Sequence, residues 1–526
     1  MAEAATPTKA RSLPRLLRDS ARRYASRTAL VTGDRQLDYT GLDAASDRIA
    51  SALAAHGIER GDHVGLYCMN ADVFVIAYFG ILKAGATVVP INLLLNPREM
   101  AYILDDANAR ALVYFEGFAE AVRSIRAEVP GIEFGVCIGE SPATQGDLTW
   151  SEAMAEAGPP PEDTTVPHED VAAIIYTSGT TGHPKGAMLT HANLDANTAS
   201  CQTALHLVPG EDVVLTVLPM FHAFAATAAM LTPLFYGCTV VPLPRFEPAH
   251  VVDTIEATRA TLFMGVPSMY NTMLRLPAEA TAKVQSLKHC ISGGAAMPAE
   301  IMARFEERFG KHIYEGDGPT ECSPVTCCNP IGGERKIGSV GLPVPNVAMK
   351  IFDDDGKEQA VGAIGEICVR GPNVMKGYWN NPEETKASFF GDWFRTGDLG
   401  HVDEDGYFFI VDRKKDMIIV NGMNVYPRVI EEILYQFEPI HEAAVVGEPH
   451  KLHGEIPVAY VSLNEGQAVD AAAVRHHCQQ YLGRHEVPRK VIFLEELPKN
   501  GTGKIVKRTL RKQGELERGI DSRTQA

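Results

Sequence analysis

The sequence predicts an α/β protein. A large N-terminal domain of covered, mostly parallel sheets ends in a small β-rich region, and a small α+β C-terminal domain follows. Three observations predict it. Apolar strand-like runs bounded by turns alternate with helical stretches through most of the first 350 residues, the pattern of parallel strands with helices on both faces. After about residue 336 the texture changes to short strands and tight turns. Finally, the charged cluster Asp412-Arg413-Lys414-Lys415-Asp416 separates two strand-like runs at a shift in charge: from Arg413 onward there are 17 basic and 15 acidic residues, whereas the whole chain has 49 basic and 66 acidic. The domains are therefore placed at 1–412 and 413–526.

Taken in order, His63–Cys68 reads as a strand and Asp72–Leu82 as a helix. Ala111–Tyr114, Val171–Tyr176 and Thr261–Gly265 read as strands, and Pro298–Phe309 as a helix. Met349–Phe352, Glu366–Arg370 and Tyr407–Val411, the last preceded by the turn Asp403-Glu404-Asp405-Gly406, predict a more antiparallel region.

At 526 residues and 57.1 kDa the chain exceeds what one core usually holds. With 45% hydrophobic and 22% charged residues it is globular in composition, which excludes disorder and collagen-like order. A net charge of −17 argues against nonspecific binding to nucleic acid or anionic membrane, since both need a basic surface. Ten cysteines are too sparse for a disulfide scaffold. They form no C-x-x-C pair, and the adjacent Cys327-Cys328 suits one metal poorly. Reduced thiols and a cytoplasmic location are the expectation.

The first thirty residues are rich in Arg and poor in acid, as a mitochondrial transit peptide is. The helical spacing of Leu13, Leu16, Leu17, Ala21 and Tyr24 favours an amphipathic first helix instead. No secretory core is present, and the terminal Arg-Thr-Gln-Ala is not a peroxisomal address. From Val213 to Pro244 there is no Asp, Glu, Lys or Arg, enough to span a bilayer. Pro219, Pro233, Gly237 and Pro242 divide it, so the expectation is no integral span but a buried helix near 223–235 between strands.

The strongest chemical signal is the run from Ile174 to Gly186. There a strand feeds a loop with three glycines (Gly179, Gly182 and Gly186), four hydroxyls (Thr177, Ser178, Thr180 and Thr181) and one lysine, Lys185. Glycines let backbone N–H groups approach a polyanion, hydroxyls donate further, and lysine adds charge, which makes a phosphate cradle. Its spacing fails the Walker pattern G-x-x-x-x-G-K-[ST], and on physical grounds alone a polar flexible turn stays open.

YTSGTTGHPKG (176–186) resembles the adenylate-forming superfamily of acyl-CoA synthetases, luciferases and nonribosomal adenylation domains. The resemblance runs in order along nearly the whole chain, through LKAGATVVPIN (82–92), LPMFHAFA (218–225), GVPSMY (265–270), SGGAAMP (292–298) and EGDGPTECSP (315–324). It continues with GSVGLPVPN (338–346), GEICVRGPNVMKGYWNNPEET (365–385), WFRTGDLG (393–400), DRKKDMIIVNGMNVYP (412–427) and PKNGTGK (498–504). Its texture is closest to fatty-acyl-CoA synthetases.

The resemblance implies ATP, CoA and Mg²⁺ as cofactors. Thr177 through Gly182 with Lys185 would hold phosphates, Glu321 would take Mg²⁺ together with Thr181, and Asp398 and Arg413 would hold the ribose. Taken alone, Glu321 is a hard oxygen ligand or a solvated loop carboxylate, and Asp398 a match for a diol or a turn residue. Gly294 and Ala295, with the loop Glu315, Gly316, Asp317, Gly318 and Thr320, would form the adenine site. One position departs from the family pattern: Asp317 stands where an aromatic ring stacks on adenine. The stacking role does not carry over, and a carboxylate there could accept from the purine amino group instead.

Lys504, with Lys185, would stabilise charge on the reacting phosphates; without the resemblance it is a lysine in a flexible loop. His222 would lie between the substrate carboxylate and an acyl pocket lined by Gly265, Val266, Pro267, Gly293 and Gly294. On residues alone it is a core histidine among apolar neighbours. The implied C-terminal domain is mobile: it turns about a hinge at Lys415 and brings Asn421 and Gly422 against CoA.

The implied reaction has two steps. A carboxylate attacks the α-phosphate of ATP and expels pyrophosphate, and CoA thiolate then displaces AMP from the acyl-adenylate. Neither a Ser/His/Asp nor a Cys/His constellation is evident, and positioning with charge neutralisation suffices for the first step. The expected acid is a fatty acid. An aryl-acid ligase of the 4-coumarate type is the alternative, followed by transfer to a carrier protein and by a nucleotide-binding pseudoenzyme. A homodimer stays open.

Overall fold

The computed structural model describes residues 11–156, 158, 166–177, 184–500 and 503–517. The predicted α/β architecture is present, organised in four sheets. The first has nine strands, in the order 342–343, 327–328, 313–317, 289–292, 262–265, 213–216, 239–242, 28–32, 35–38. Its middle strands are parallel and buried, and their apolar runs, such as Leu262–Gly265, give no alternation because both faces are covered. The second has eight strands, in the order 377–378, 185–190, 171–177, 87–90, 63–67, 109–115, 134–138, 148–149.

The helices Tyr39–Ala55 and Asp72–Lys83 pack together and belong to the largest core cluster, which contains side chains of both sheets. Their approach depends on Gly80: a Cβ there would stand 2.5 Å from Ile49 Cγ2. Asp72–Lys83 is buried along nearly its whole length, so it shows no polar stripe in sequence.

The two helices also trap charge. Lys83 is fully buried, and its ammonium donates to Asp43 Oδ1 (2.5 Å), Asp47 Oδ1 (2.7 Å) and the Asp43 carbonyl (2.8 Å). Arg18, from the first helix Leu13–Tyr24, reaches the same two carboxylates. That first helix is amphipathic as its spacing predicts, with Leu13, Leu16, Leu17, Ala21 and Tyr24 buried.

The charge-free stretch forms the buried helix expected, but with an unexpected geometry: a π-helical run Ala225–Leu231 passes into an α-turn Thr232–Phe235. Thr232 Oγ1 donates to the Thr227 carbonyl (2.7 Å), which also accepts the Thr232 N–H, and Thr216 Oγ1 donates to the Ala229 carbonyl (2.9 Å). Among the described residues no helix is long and apolar enough to cross a membrane.

The third sheet is antiparallel throughout: 348–352, 365–370, 393–402 and 389–390 in order, with 408–413 also on 393–402. The fourth sheet, 423–425, 418–420, 454–463 and 440–450 with 490–493 also on 454–463, begins only after the turn that follows Arg413. Helices Pro427–Tyr435 and Ala471–Tyr481 share its core. Arg413 itself still pairs within the third sheet. All ten cysteines are free and buried.

Lys83→Met should leave Asp43 and Asp47 with Arg18 alone to balance them. A loss on the order of 3 kcal/mol is expected for removing one partner of such a cluster, read as a lowered midpoint in urea unfolding followed by tryptophan fluorescence.

Candidate active site

The cleft opens at the C-terminal ends of the parallel strands of the first sheet, where α/β folds bind ligands. Strand Leu262–Gly265 delivers Gly265 there, followed by Val266 and by Pro267, which starts a helix. Strand His289–Ser292 leads to Gly293-Gly294-Ala295, and Ile313–Asp317 to Gly318 and Thr320. Gly318 is required by space: an added Cβ would stand 1.7 Å from the Pro324 carbonyl oxygen. That close folding-back carries Glu321 on a tight turn, Thr320–Cys322, toward the second sheet.

On the second sheet Thr177 ends one strand and Lys185 begins the next, directly paired across it. Ser178, Gly179, Thr180, Thr181 and Gly182, which the sequence assigns to phosphate, lie outside the described residues. Glu321 Oε1 accepts from Tyr378 O–H (2.7 Å) and, more distantly, from Thr177 O–H (3.5 Å). One carboxylate with a hydroxyl beside it is a hard-oxygen donor set. It fits Mg²⁺, which keeps most of its waters and completes its shell with phosphate oxygens. Among the described residues no group of three or more His, Cys, Asp or Glu forms an all-protein metal cage.

Asp398 lies in the middle of strand Trp393–Val402, not in a turn, and is buried. Its cross-strand partner is Arg413, whose Nε donates to Asp398 Oδ1 at 2.7 Å. Asp317 faces the same charges. Burial and the Asp398 carboxylate push its acid up to about 6, against the pull of Arg413 and Lys504. Glu315, one pleat back, is buried with Oε1 on the Met297 N–H (3.0 Å), and burial pushes it up to about 7.

Lys504 comes from the far end of the chain. Its loop folds on itself through Lys504 N–H to Asn500 Oδ1 and Asn500 N–H to the Lys504 carbonyl, each 2.9 Å. Ser268 O–H then ties the Gly503 carbonyl to the first-sheet side at 2.9 Å. The side chain keeps some exposure, yet protein packed around its ammonium, joined by the Arg413 charge, lowers its pKa to about 8. Asp398 and Asp317 oppose that shift.

His222 is within reach of the same lysine. Burial, and secondarily the Lys504 charge, push its pKa down to about 4, so the imidazole is neutral at pH 7. The Phe224 N–H donates to Nδ1 (3.3 Å), which leaves the proton on Nε2. Phe224 also covers Gly293, its ring 3.2 Å from where a Cβ would be.

The structure thus brings Asp317, Asp398, Arg413, Lys504 and His222 into one electrostatic neighbourhood. Asn421 and Gly422 stand apart, on an exposed turn whose bonds run to His453. Lys415 lies just past Arg413, and burial followed by the Arg413 charge lowers its pKa. Further contacts hold the fourth sheet in place: Arg511 on Asp416 (2.7 Å), Lys507 on Glu431 (2.8 Å), and the Asn271 amide on the His441 carbonyl (3.0 Å).

Tyr378 and Glu384 are the functional candidates that sequence reasoning missed. They sit in MKGYWNNPEET, quoted only as part of a resemblance, and no spacing there announces a partner 199 residues away in Lys185.

Two carboxylates, an arginine and a lysine from the far end of the chain thus act on one another's charge at the ends of these strands. The pattern of the AMP-binding enzyme family matches residues 17–379, and that of the AMP-binding enzyme C-terminal domain residues 429–504. The chain belongs to this family. A long-chain-fatty-acid–CoA ligase of Bacillus subtilis (strain 168) is 36% identical over 530 residues, covering 96% of this chain and 95% of that one. A feruloyl-CoA synthase of Amycolatopsis sp is 36% identical over 494 residues, covering 94% and 97%. The crystal structure of the anthranilate CoA ligase AuaEII in complex with anthranoyl-AMP superposes with a TM-score of 0.89 at 30% identity, covering 97% and 99%. The protein is an AMP-forming acyl-CoA synthetase: an acid–CoA ligase working through an acyl-adenylate, with ATP and CoA as its substrates.

If Lys504 serves adenylation in its protonated form, kcat/KM of the free enzyme for acid-dependent ATP–pyrophosphate exchange should fall as pH rises through about 8. Lys504→Arg should move that limb upward by more than two units; an unmoved limb assigns it to another group.

Proposed function

We propose that the acid is a fatty acid, and that the residues gathered in the cleft divide the work as follows. His222 presents a neutral Nε2–H to the acid's carboxylate, orienting it without pairing away its charge. Lys504 supplies the positive charge as a bond forms between that oxygen and the α-phosphorus and the bond to pyrophosphate breaks. Asp398 and Arg413 hold the ribose, and Asp317 accepts from the adenine amino group. The Glu315–Thr320 loop, with Gly294 and Ala295, surrounds the base. Glu321 and Thr181 would hold Mg²⁺, which would supply positive charge toward the triphosphate.

Residues 413–526 act as a mobile domain turning about Lys415. The described arrangement places Lys504 at the cleft and leaves Asn421-Gly422 outside, which suits the adenylating step. Turning would exchange the two and bring the glycine turn to CoA.

The observation that carries the fatty-acid reading is the helix after His222. Ala225, Ala226, Ala228 and Ala229 are all buried there, and we read them as a wall of small side chains that would leave room for an elongated apolar chain. The equal identity to the Bacillus subtilis ligase is consistent with it. A second reading, an aryl acid, is favoured by the Phe224 ring lying close against Gly293 and by the feruloyl and anthranilate ligases among the relatives.

Pyrophosphate release across straight-chain, branched and aryl acids, with and without CoA, tests the proposal. The highest kcat/KM is expected for straight-chain acids. Aryl preference would overturn the substrate and leave the ligase, and no release with any acid would point to the pseudoenzyme reading through Asp317. Lys504→Ala should cut adenylation by about 10²–10³-fold while sparing thioester formation from supplied acyl-adenylate. Equal loss of both half-reactions would remove Lys504 from its role.

A further inference from the structure

Lys185 does not face the cleft as a free cation. Its ammonium is ion-paired with Glu384 and lies 5.4 Å from the centre of the Tyr378 ring, with only 10% of the side chain exposed. The partner is held equally firmly. The short strand Gly377–Tyr378 adds to the edge of Lys185–Thr190, with Tyr378 opposite Ala187 and Trp379 N–H donating to the Gly186 carbonyl at 2.8 Å. The chain then turns at Asn381, whose Oδ1 accepts from the Glu384 N–H (3.1 Å), and Glu384 comes to rest over Lys185. Tyr378 in the same segment donates to Glu321. One strap, 377–384, therefore occupies both the lysine and the carboxylate that flank the phosphate loop.

We propose that Glu384 is the exchange partner of Lys185: a positioning residue that holds the ammonium while the phosphate site is empty, gives it up to the incoming triphosphate, and takes it back when pyrophosphate leaves. This rests on the reading of Lys185 as a phosphate-binding lysine. An ammonium has three donors and could hold a carboxylate and a phosphate oxygen together, but the two anions repel each other across a nearly buried lysine, so an incoming polyanion weakens the Glu384 pair and its departure restores it. A tight, product-retaining site is thereby avoided. The strap itself is fixed by backbone pairing to the neighbouring strand, so the exchange needs only side-chain rotation of Lys185 and Glu384.

The test is the sign of two substitutions on binding of inorganic pyrophosphate and of ATP, measured by calorimetry and compared with steady-state kinetics. Glu384→Gln should tighten pyrophosphate at least fivefold and lower KM for ATP, while kcat falls as product release slows. Lys185→Met should weaken both ligands at least tenfold. Glu384→Asp, which keeps the charge on a shorter arm, should lie between wild type and Glu384→Gln. If Glu384→Gln and Lys185→Met weaken binding alike, the pair is a structural clamp and the exchange is wrong, though the ligase reading stands. If the unaltered protein binds neither ligand, the phosphate-site reading itself falls. Thermal unfolding of each variant separates lost fold from lost exchange: a variant melting more than about 10 °C below wild type is replaced by Glu384→Asp, and wild-type affinity in that variant also overturns the proposal.

Discussion

The cross-strand pair Asp398–Arg413 is the contact on which the cleft hangs. Asp398 is buried, and an isolated carboxylate in that place would be strongly disfavoured. Arg413 answers it through a short bond while part of its own side chain stays in water, so the pair avoids most of the desolvation that makes enclosed salt bridges poor stabilisers. The strand is propped from behind by Glu366, which accepts from Gly397 N–H at 3.2 Å and pairs with Arg395 and Lys414. Loss of Arg413 would leave Asp398 and Asp317 repelling each other in one crevice.

The same pair sits where the chain leaves the third sheet. Its position therefore decides both what the crevice offers a nucleotide and where the following residues begin. Burial first, and then the Arg413 charge, lowers the proton affinity of Lys504, delivered by the second domain, and of Lys415, two residues on. One guanidinium thus acts on groups from both sides of the junction. Contacts of Ser268 with the Gly503 carbonyl and of the Asn271 amide with His441 then join the two sides, each hydrogen bond worth about 1 kcal/mol.

Much of this was legible in the sequence because strand and helix periods differ and because glycine, proline and charge punctuate them. His63–Tyr67, Asp72–Lys83 and Ala299–Phe309 emerge nearly as read. The helix after His222 was legible as buried but not as π-helical, since its geometry depends on hydroxyls at Thr216 and Thr232 that have no helical signature. Asp398 reads as a turn residue in isolation because Thr-Gly-Asp has turn chemistry, and only the partner strand makes it a buried strand position. Tyr378 and Glu384 were opaque for a different reason. Their significance lies wholly in which distant side chains the strap is laid upon, and pairing between strands nearly two hundred residues apart leaves no local trace.

The buried cysteines have a consequence for an enzyme that makes activated acyl groups. Mixed anhydrides and thioesters transfer their acyl group to thiolates. Burial raises every thiol here, to about 11 for Cys137 and Cys478 and to about 12 for Cys68, Cys201, Cys238, Cys290, Cys328 and Cys368, with Cys322 and Cys327 pushed well upward too. Cys322 follows Glu321 directly and Cys327 pairs with Asp317, both at the edge of the chemistry. A reactive thiolate there would compete with CoA for every adenylate formed. Kept protonated and out of solvent, these sulfurs leave the incoming substrate thiol as the one sulfur nucleophile the intermediate meets.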